Sequence, residues 1–128
     1  IDASDIPDLV PVLTVLACFA EGTSHIRGCK RLRIKESDRL VSISTVLNSL
    51  GADVRIVNDE LEINGVKELS GGVCSSFNDH RIAMSLAVAS QRCTSPLTIT
   101  GAECVAKSYP TFFEDFRALG GEYDVVIV

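Results

Sequence analysis

The sequence has little of what several function classes need. No basic run offsets its net charge of -5, which excludes broad nucleic-acid binding while leaving room for a local basic pocket. Its cysteines (Cys18, Cys29, Cys74, Cys93 and Cys104) are odd in number and lack any CxxC pair. That pattern points away from a disulfide framework or zinc site and toward reduced thiols. With only His25 and His80, metal binding is not expected. The longest apolar stretch, residues 9–20, is interrupted by Pro11 and Thr14 and is too short to span a bilayer. Residues 1–8 carry acids and no cationic region, unlike a signal peptide, and the reduced thiols make the cytoplasm the expected location. There is no initiating Met, as expected of a fragment. P-loop, GxGxxG, HExxH and GxSxG motifs are all missing. Lys30 and Arg31 beside Cys29 are a setting that lowers a thiol pKa, but no base accompanies it.

What is present is enough for one domain with a real core: 128 residues, 46% apolar and 23% charged. An internal repeat organises them. Residues 6–28 match residues 78–101 in pattern, each beginning with a helix that is apolar on nearly every side. The first is expected over 6–20, with Asp5 as N-cap and Pro7 in its first turn; the second is expected over 82–89, with Asn78 as cap. Helices without a polar face are expected to be buried all round. Short strands follow at 23–27 and 97–100, then loops carrying Lys35 or Lys107. Leu40, Ile43, Leu47 and Leu50 recur at helical spacing, as do Phe112, Phe113, Phe116 and Leu119. Gly51 and Gly120-Gly121 close these second helices. Strands are expected at 53–57 and 122–128, with a hairpin through Asn58-Asp59 to residues 61–63. Residues 66–76 read as a loop leading into a further short strand. Pro11 conflicts with the interior of the first helix.

Seven residues cluster at the starts of these helices: Asp8, Lys35, Glu36, Arg39, His80, Arg81 and Lys107. A helix N-terminus already attracts anions, so added cations there suggest a phosphate and carboxylate site. Interleaved Asp8 and Glu36 suggest proton transfer. Each residue also has a plainer reading. Asp8 fits a capping box, and residues 35–39 fit a solvated turn with Ser37 as N-cap. Arg39, however, lies against the dipole, which a bound anion would offset. Arg81 at the mouth of an apolar helix needs a carboxylate or phosphate, and Asp79 or Asp38 is available as a structural partner. The recurrence at several helix starts favours a site.

Four segments carry a family resemblance: Asp5-Ile6-Pro7-Asp8, Arg33-Ile34-Lys35-Glu36-Ser37-Asp38-Arg39, Asn78-Asp79-His80-Arg81-Ile82-Ala83-Met84 and Lys107-Ser108-Tyr109-Pro110. In this order and spacing they resemble the C-terminal part of the 5-enolpyruvylshikimate-3-phosphate synthase family, over essentially the whole chain. The last three differ from the sister enolpyruvyl transferase that uses UDP-N-acetylglucosamine.

The resemblance implies an α/β (α+β) fold of repeated βαβαββ units, with helices packed inside against sheets. It implies two domains of three units each, closing on substrates between them. This chain would supply about two units of one domain, approximately residues 1–65 and 72–128. The implied reaction moves the enolpyruvyl group of phosphoenolpyruvate to the 5-hydroxyl of shikimate 3-phosphate and releases phosphate. It proceeds by addition and elimination through a tetrahedral ketal-phosphate, with no metal or organic cofactor.

By position, the resemblance makes Asp8 the base at the hydroxyl. Glu36 becomes the acid that protonates the methylene and later deprotonates the methyl. Lys35 would bind the shikimate moiety, Arg39 and Arg81 phosphoenolpyruvate, and Lys107 its phosphate. His80 would support Glu36. The implied partners are these two small molecules and the remainder of the chain, without nucleic acid or membrane. The 128 residues alone are expected to be inactive. Two alternatives stay open: a non-catalytic anion-binding module of the same fold, and a related transferase using a UDP-amino sugar.

Overall fold

Proline placement decides where the first helix begins. In the computed structural model, which describes residues 1–127, the chain enters through a 3-10 turn at Pro7–Leu9. Helix α1 then spans Val10–Ala17. Pro11 therefore falls in the first turn, where no N–H is needed and its fixed φ suits the helix. This corrects the longer helix expected over 6–20. Asp5 does not cap it: Ile6 is the N-cap of the 3-10 turn and Leu9 that of α1, neither with a side-chain bond.

Burial on every side is also corrected for α1. Val10, Pro11, Thr14, Val15 and Ala17 are buried, but Leu16 is 59% exposed. Helix α3, His80–Ala89, is more enclosed, because α1 packs against it and so does the 3-10 segment Ala102–Lys107. Its cap is Asp79 rather than Asn78. Asn78 takes a left-handed conformation (φ 52°), which asparagine tolerates better than most residues. Asp79 is thereby left in the extended geometry a cap requires.

Helix α2, Arg39–Ser49, buries Leu40, Ile43 and Leu47 as its periodicity predicts. Its cap is Asp38, whose Oδ1 accepts from the Val41 N–H, not Ser37. After Gly51 (φ 100°) the chain forms β2, Asp53–Val57. Asn58 and Asp59 both have positive φ, the signature of a tight hairpin turn, and lead into β3, Glu60–Asn64. Strand β1, Thr23–Ile26, takes the other edge of β3, giving the antiparallel order β1-β3-β2. Ile26 lies opposite Leu61, and Leu61 opposite Ile56. The inward face thus carries Ile26, Val54, Leu61 and Ile63 against the core.

Arg27 is not part of β1. It makes a lone parallel bridge with Asp2. Strands β4, Gly72–Ser75, and β5, Leu97–Thr100, pair in parallel with α3 as their crossover.

Helix α4, Phe112–Ala118, departs from expectation. No residue in it is fully buried, and Leu119 is 90% exposed rather than part of a core stripe. Phe112 packs edge-on with Tyr109 and Phe113, and Phe113 with Phe116, while Phe112 and Phe116 are tilted by 32° and Tyr123 lies against Phe113. Residues 122–127 form no strand, and Val128 lies outside the described residues. Strand β2 is held by pairing with β3, whereas no described segment pairs with 122–127. Among the described residues, no helix is long and apolar enough to cross a membrane.

The thiols yield a pH prediction and a correction. Burial pushes Cys18 and Cys29 up to about 11, and for Cys29 the charges of Glu60 and Asp2 add to it. Cys29 is therefore not activated by its basic neighbours. A raised pKa contributes stability that is present below the ordinary thiol value of 9.0 and lost as pH rises through the native value. Urea midpoints are expected to fall between pH 9 and about 11. At pH 8 a disulfide reagent should label the part-exposed Cys93 before buried Cys18 or Cys29. Fast native labelling of Cys18 would contradict this burial.

Candidate functional site

Arg39, the first residue of α2, is the centre of the charged cluster and is 1% exposed. Its Nε donates to Asp79 Oδ2 at 2.9 Å and its Nη2 to Asp79 Oδ1 at 3.2 Å. Nη1 donates to Asp8 Oδ1 at 3.0 Å, and Nη2 also donates to Glu36 Oε2. These bonds use all but one of the N–H donors a guanidinium carries. The unfavourable position of Arg39 against the helix dipole is thus offset by carboxylates of the chain itself, where a bound anion was expected.

Burial works against the charge on Arg39, but hydrogen bonding and attraction from Asp79, with Glu36 and Asp8 adding, hold its pKa above the ordinary value. Burial also opposes the charge on Asp79, and the bonds from Arg39 and Ser37 outweigh it, keeping this carboxyl below the usual range. A buried ion pair of this kind needs its remaining lone pairs satisfied. They are: Ser37 Oγ donates to Asp79 Oδ2 at 2.8 Å, and the Arg81 backbone N–H donates to Oδ1 at 3.0 Å. Asp79 is therefore at once the cap of α3 and the clamp on α2.

The other sequence-predicted residues gather around this pair unevenly. Asp8, carried on the 3-10 turn before α1, also has Lys35 Nζ at 3.8 Å and Arg81 Nη2 at 3.9 Å. Lys35 and Glu36 follow the 3-10 turn Lys30–Ile34. Arg33 fixes that turn by donating to Asp38 Oδ2 at 2.9 Å and to Asp59 Oδ1 at 3.0 Å. Asp38 therefore belongs to Arg33 and Asp79 to Arg39. Neither is the guanidinium partner expected for Arg81, whose closest carboxylate is Asp8.

His80 is buried, and its Nδ1 has no hydrogen-bond partner among the described residues, nor has Arg81 Nε. Buried polar atoms without partners are uncommon, and two of them beside a charged cluster fit a functional role there. Lys107 stands apart. It ends a 3-10 segment rather than starting a helix, and its Nζ donates to the Asn78 carbonyl at 2.7 Å, one residue from Asp79.

Glu36, Asp79 and His80 place ligand atoms within 4.8 Å of one another, a grouping that invites a metal reading. The donor set does not suit one. The Arg39 guanidinium already occupies hydrogen-bonding positions on both carboxylates, so an added cation would face a fixed positive charge.

Reading the sequence alone leaves Asp79 and Ser37 out of the site. An acid immediately before His80-Arg81, at the mouth of an apolar helix, was the available signal. Its pairing with Arg39, 40 residues earlier, becomes visible only when α2 and α3 are brought together.

Helices packed against two small sheets thus bring carboxylates and cations together at Arg39 from separate parts of the chain. The profile of EPSP synthase (3-phosphoshikimate 1-carboxyvinyltransferase) matches residues 1–116. The chain belongs to that family. It is 58% identical to 3-phosphoshikimate 1-carboxyvinyltransferase of Clostridium kluyveri, over 97% of this chain and 29% of that protein. With the same enzyme of Clostridium acetobutylicum it shares 55% identity, over 95% of this chain and 28% of the relative. Among solved structures, EPSP synthase from Acinetobacter baumannii superposes with a TM-score of 0.88 at 36% identity, covering 98% of this chain and 29% of the other. The chain thus spans less than a third of the length of the relatives it matches.

Proposed function

We propose that, within a full-length protein, this chain supplies the proton-handling wall of an enolpyruvyl transferase acting on phosphoenolpyruvate and shikimate 3-phosphate. The observation that carries this reading is the gathering of Asp8, Lys35, Glu36 and Arg81 around the buried Arg39. Asp8 takes the proton of the attacking 5-hydroxyl. Glu36 protonates the methylene carbon of phosphoenolpyruvate and later removes a proton from the resulting methyl. His80 supports Glu36, within 4.8 Å of it. Lys35 binds the shikimate moiety. Arg81, with an unpaired Nε, and Arg39, with one N–H to spare, hold phosphoenolpyruvate. Lys107 reaches its phosphate.

Charge supports the view that this wall works only with a second one. The cations Lys35, Arg39 and Arg81 are already matched by Asp8, Glu36 and Asp79, so two polyanionic substrates need cations from elsewhere in the chain. The 128 residues alone should therefore be inactive. In this reading residues 1–65 and 72–128 are two repeat units of one domain, the enzyme is cytoplasmic, and it uses neither metal nor organic cofactor.

The test is phosphate release from phosphoenolpyruvate by the full-length chain, with shikimate 3-phosphate or UDP-N-acetylglucosamine as acceptor. Release with shikimate 3-phosphate alone is expected. Release with the nucleotide sugar would move the chain to the sister activity. Tight binding of shikimate 3-phosphate without release would leave a binding module.

A further inference from the structure

We propose that the Ser37 hydroxyl is a positioning group for Arg39, acting through Asp79, and that it sets the affinity for phosphoenolpyruvate; this rests on the function proposed above. Asp79 is fully buried, and its oxygens receive donors from Arg39, from the Arg81 backbone and from Ser37. The Arg39 donors are the ones an anionic substrate competes for. The Arg81 N–H is fixed in α3 and holds Oδ1 only. Ser37 is the remaining hold on Oδ2, the atom that receives Arg39 Nε.

The direction of this bond follows from chemistry. An ionised carboxylate only accepts, so Ser37 must donate. Its oxygen is then free to accept from Ser42 Oγ, a buried hydroxyl of α2 at 2.9 Å. Without the Ser37 hydroxyl, Asp79 Oδ2 is held by Arg39 alone. With one restraint on Oδ2 gone, the carboxylate has more freedom about its χ2, and the guanidinium it aims is less well fixed toward phosphoenolpyruvate while its bonds to Asp8 and Glu36 remain. Among the described residues, Ser37 is hydrogen-bonded to no other charged group and to no proposed reacting atom.

The test uses the full-length chain and the variants Ser37→Ala, Ser37→Val and Ser37→Thr. Valine and threonine differ only in the hydroxyl. For Ser37→Ala and Ser37→Val, KM for phosphoenolpyruvate should rise roughly tenfold, the scale of one hydrogen bond to a charged group. Their kcat should stay within a few-fold, and the Kd for shikimate 3-phosphate should not change. Ser37→Thr should restore the wild-type KM. An unchanged KM in Ser37→Val, an equal loss for both substrates, a failure of Ser37→Thr to restore, or unfolding of both hydroxyl-free variants would overturn the proposal. Wild-type protein that releases no phosphate would overturn the function first and this role with it.

Discussion

Asp79→Ala is expected to cost about 3–5 kcal/mol of folding stability, because it leaves the Arg39 guanidinium buried without its main partner. That is a large fraction of what a domain of this size possesses. The same change removes the side-chain cap of α3 and the acceptor for Ser37, so the start of α3 and the turn before α2 loosen together. Asp79→Asn keeps the shape and an acceptor but not the charge, and should fall between wild type and alanine. Urea unfolding at pH 7 measures all three.

The pH dependence has a definite sign. Because the Asp79 carboxyl is held below the ordinary value of 3.8, its contribution is complete above that value and is lost as pH falls through the lower native one. The gap between wild type and Asp79→Asn should therefore be widest near neutrality and shrink in acid below about pH 4. A gap independent of pH would mean that the charge of Asp79 is not what holds Arg39.

Glu36→Gln is expected to lower kcat of the full-length chain about 100- to 10,000-fold, the range a positioned acid–base group contributes. Folding should survive, since the Glu36 side chain is 43% exposed and glutamine still accepts from Arg39. Binding of shikimate 3-phosphate should change little, because no proposed contact to that substrate uses Glu36. Loss of binding and turnover together would instead place Glu36 among the substrate-holding groups. Asp8→Asn offers a contrast. Asp8 has Arg39, Lys35 and Arg81 within 4 Å, so its loss should disturb substrate orientation as well as the proton step.

Much of this was legible in the residues because it depends on local rules. The stripe of Leu40, Ile43 and Leu47 reports a helix on a core. Asn58-Asp59 reports a tight turn, and Gly51 reports a helix end. That Asp8, Glu36 and Arg39 lie close to helix starts was readable, but that the two acids close on Arg39 in place of a bound anion was not.

What was not legible depends on partners distant in sequence. Nothing local distinguishes Asp79 from Asn78 as a cap until the left-handed turn at Asn78 is seen. Nor does the sequence say that Arg39 turns inward and uses most of its donors on Asp79, Asp8 and Glu36. Residues 122–127 have the composition of a strand, but a strand is made by pairing, and none occurs among the described residues. Leu16 and Leu119 have core-type side chains and yet lie exposed, because burial requires a neighbour as well as an apolar residue.

The most direct measurement is the fate of solvent deuterium when the full-length chain turns over phosphoenolpyruvate and shikimate 3-phosphate in heavy water. If Glu36 protonates the methylene and later deprotonates the methyl, the vinyl group of the product acquires deuterium, and Glu36→Gln suppresses both label and turnover. Product formed at the full rate with no deuterium at that carbon, or undiminished labelling by Glu36→Gln, would contradict the role assigned to this cluster.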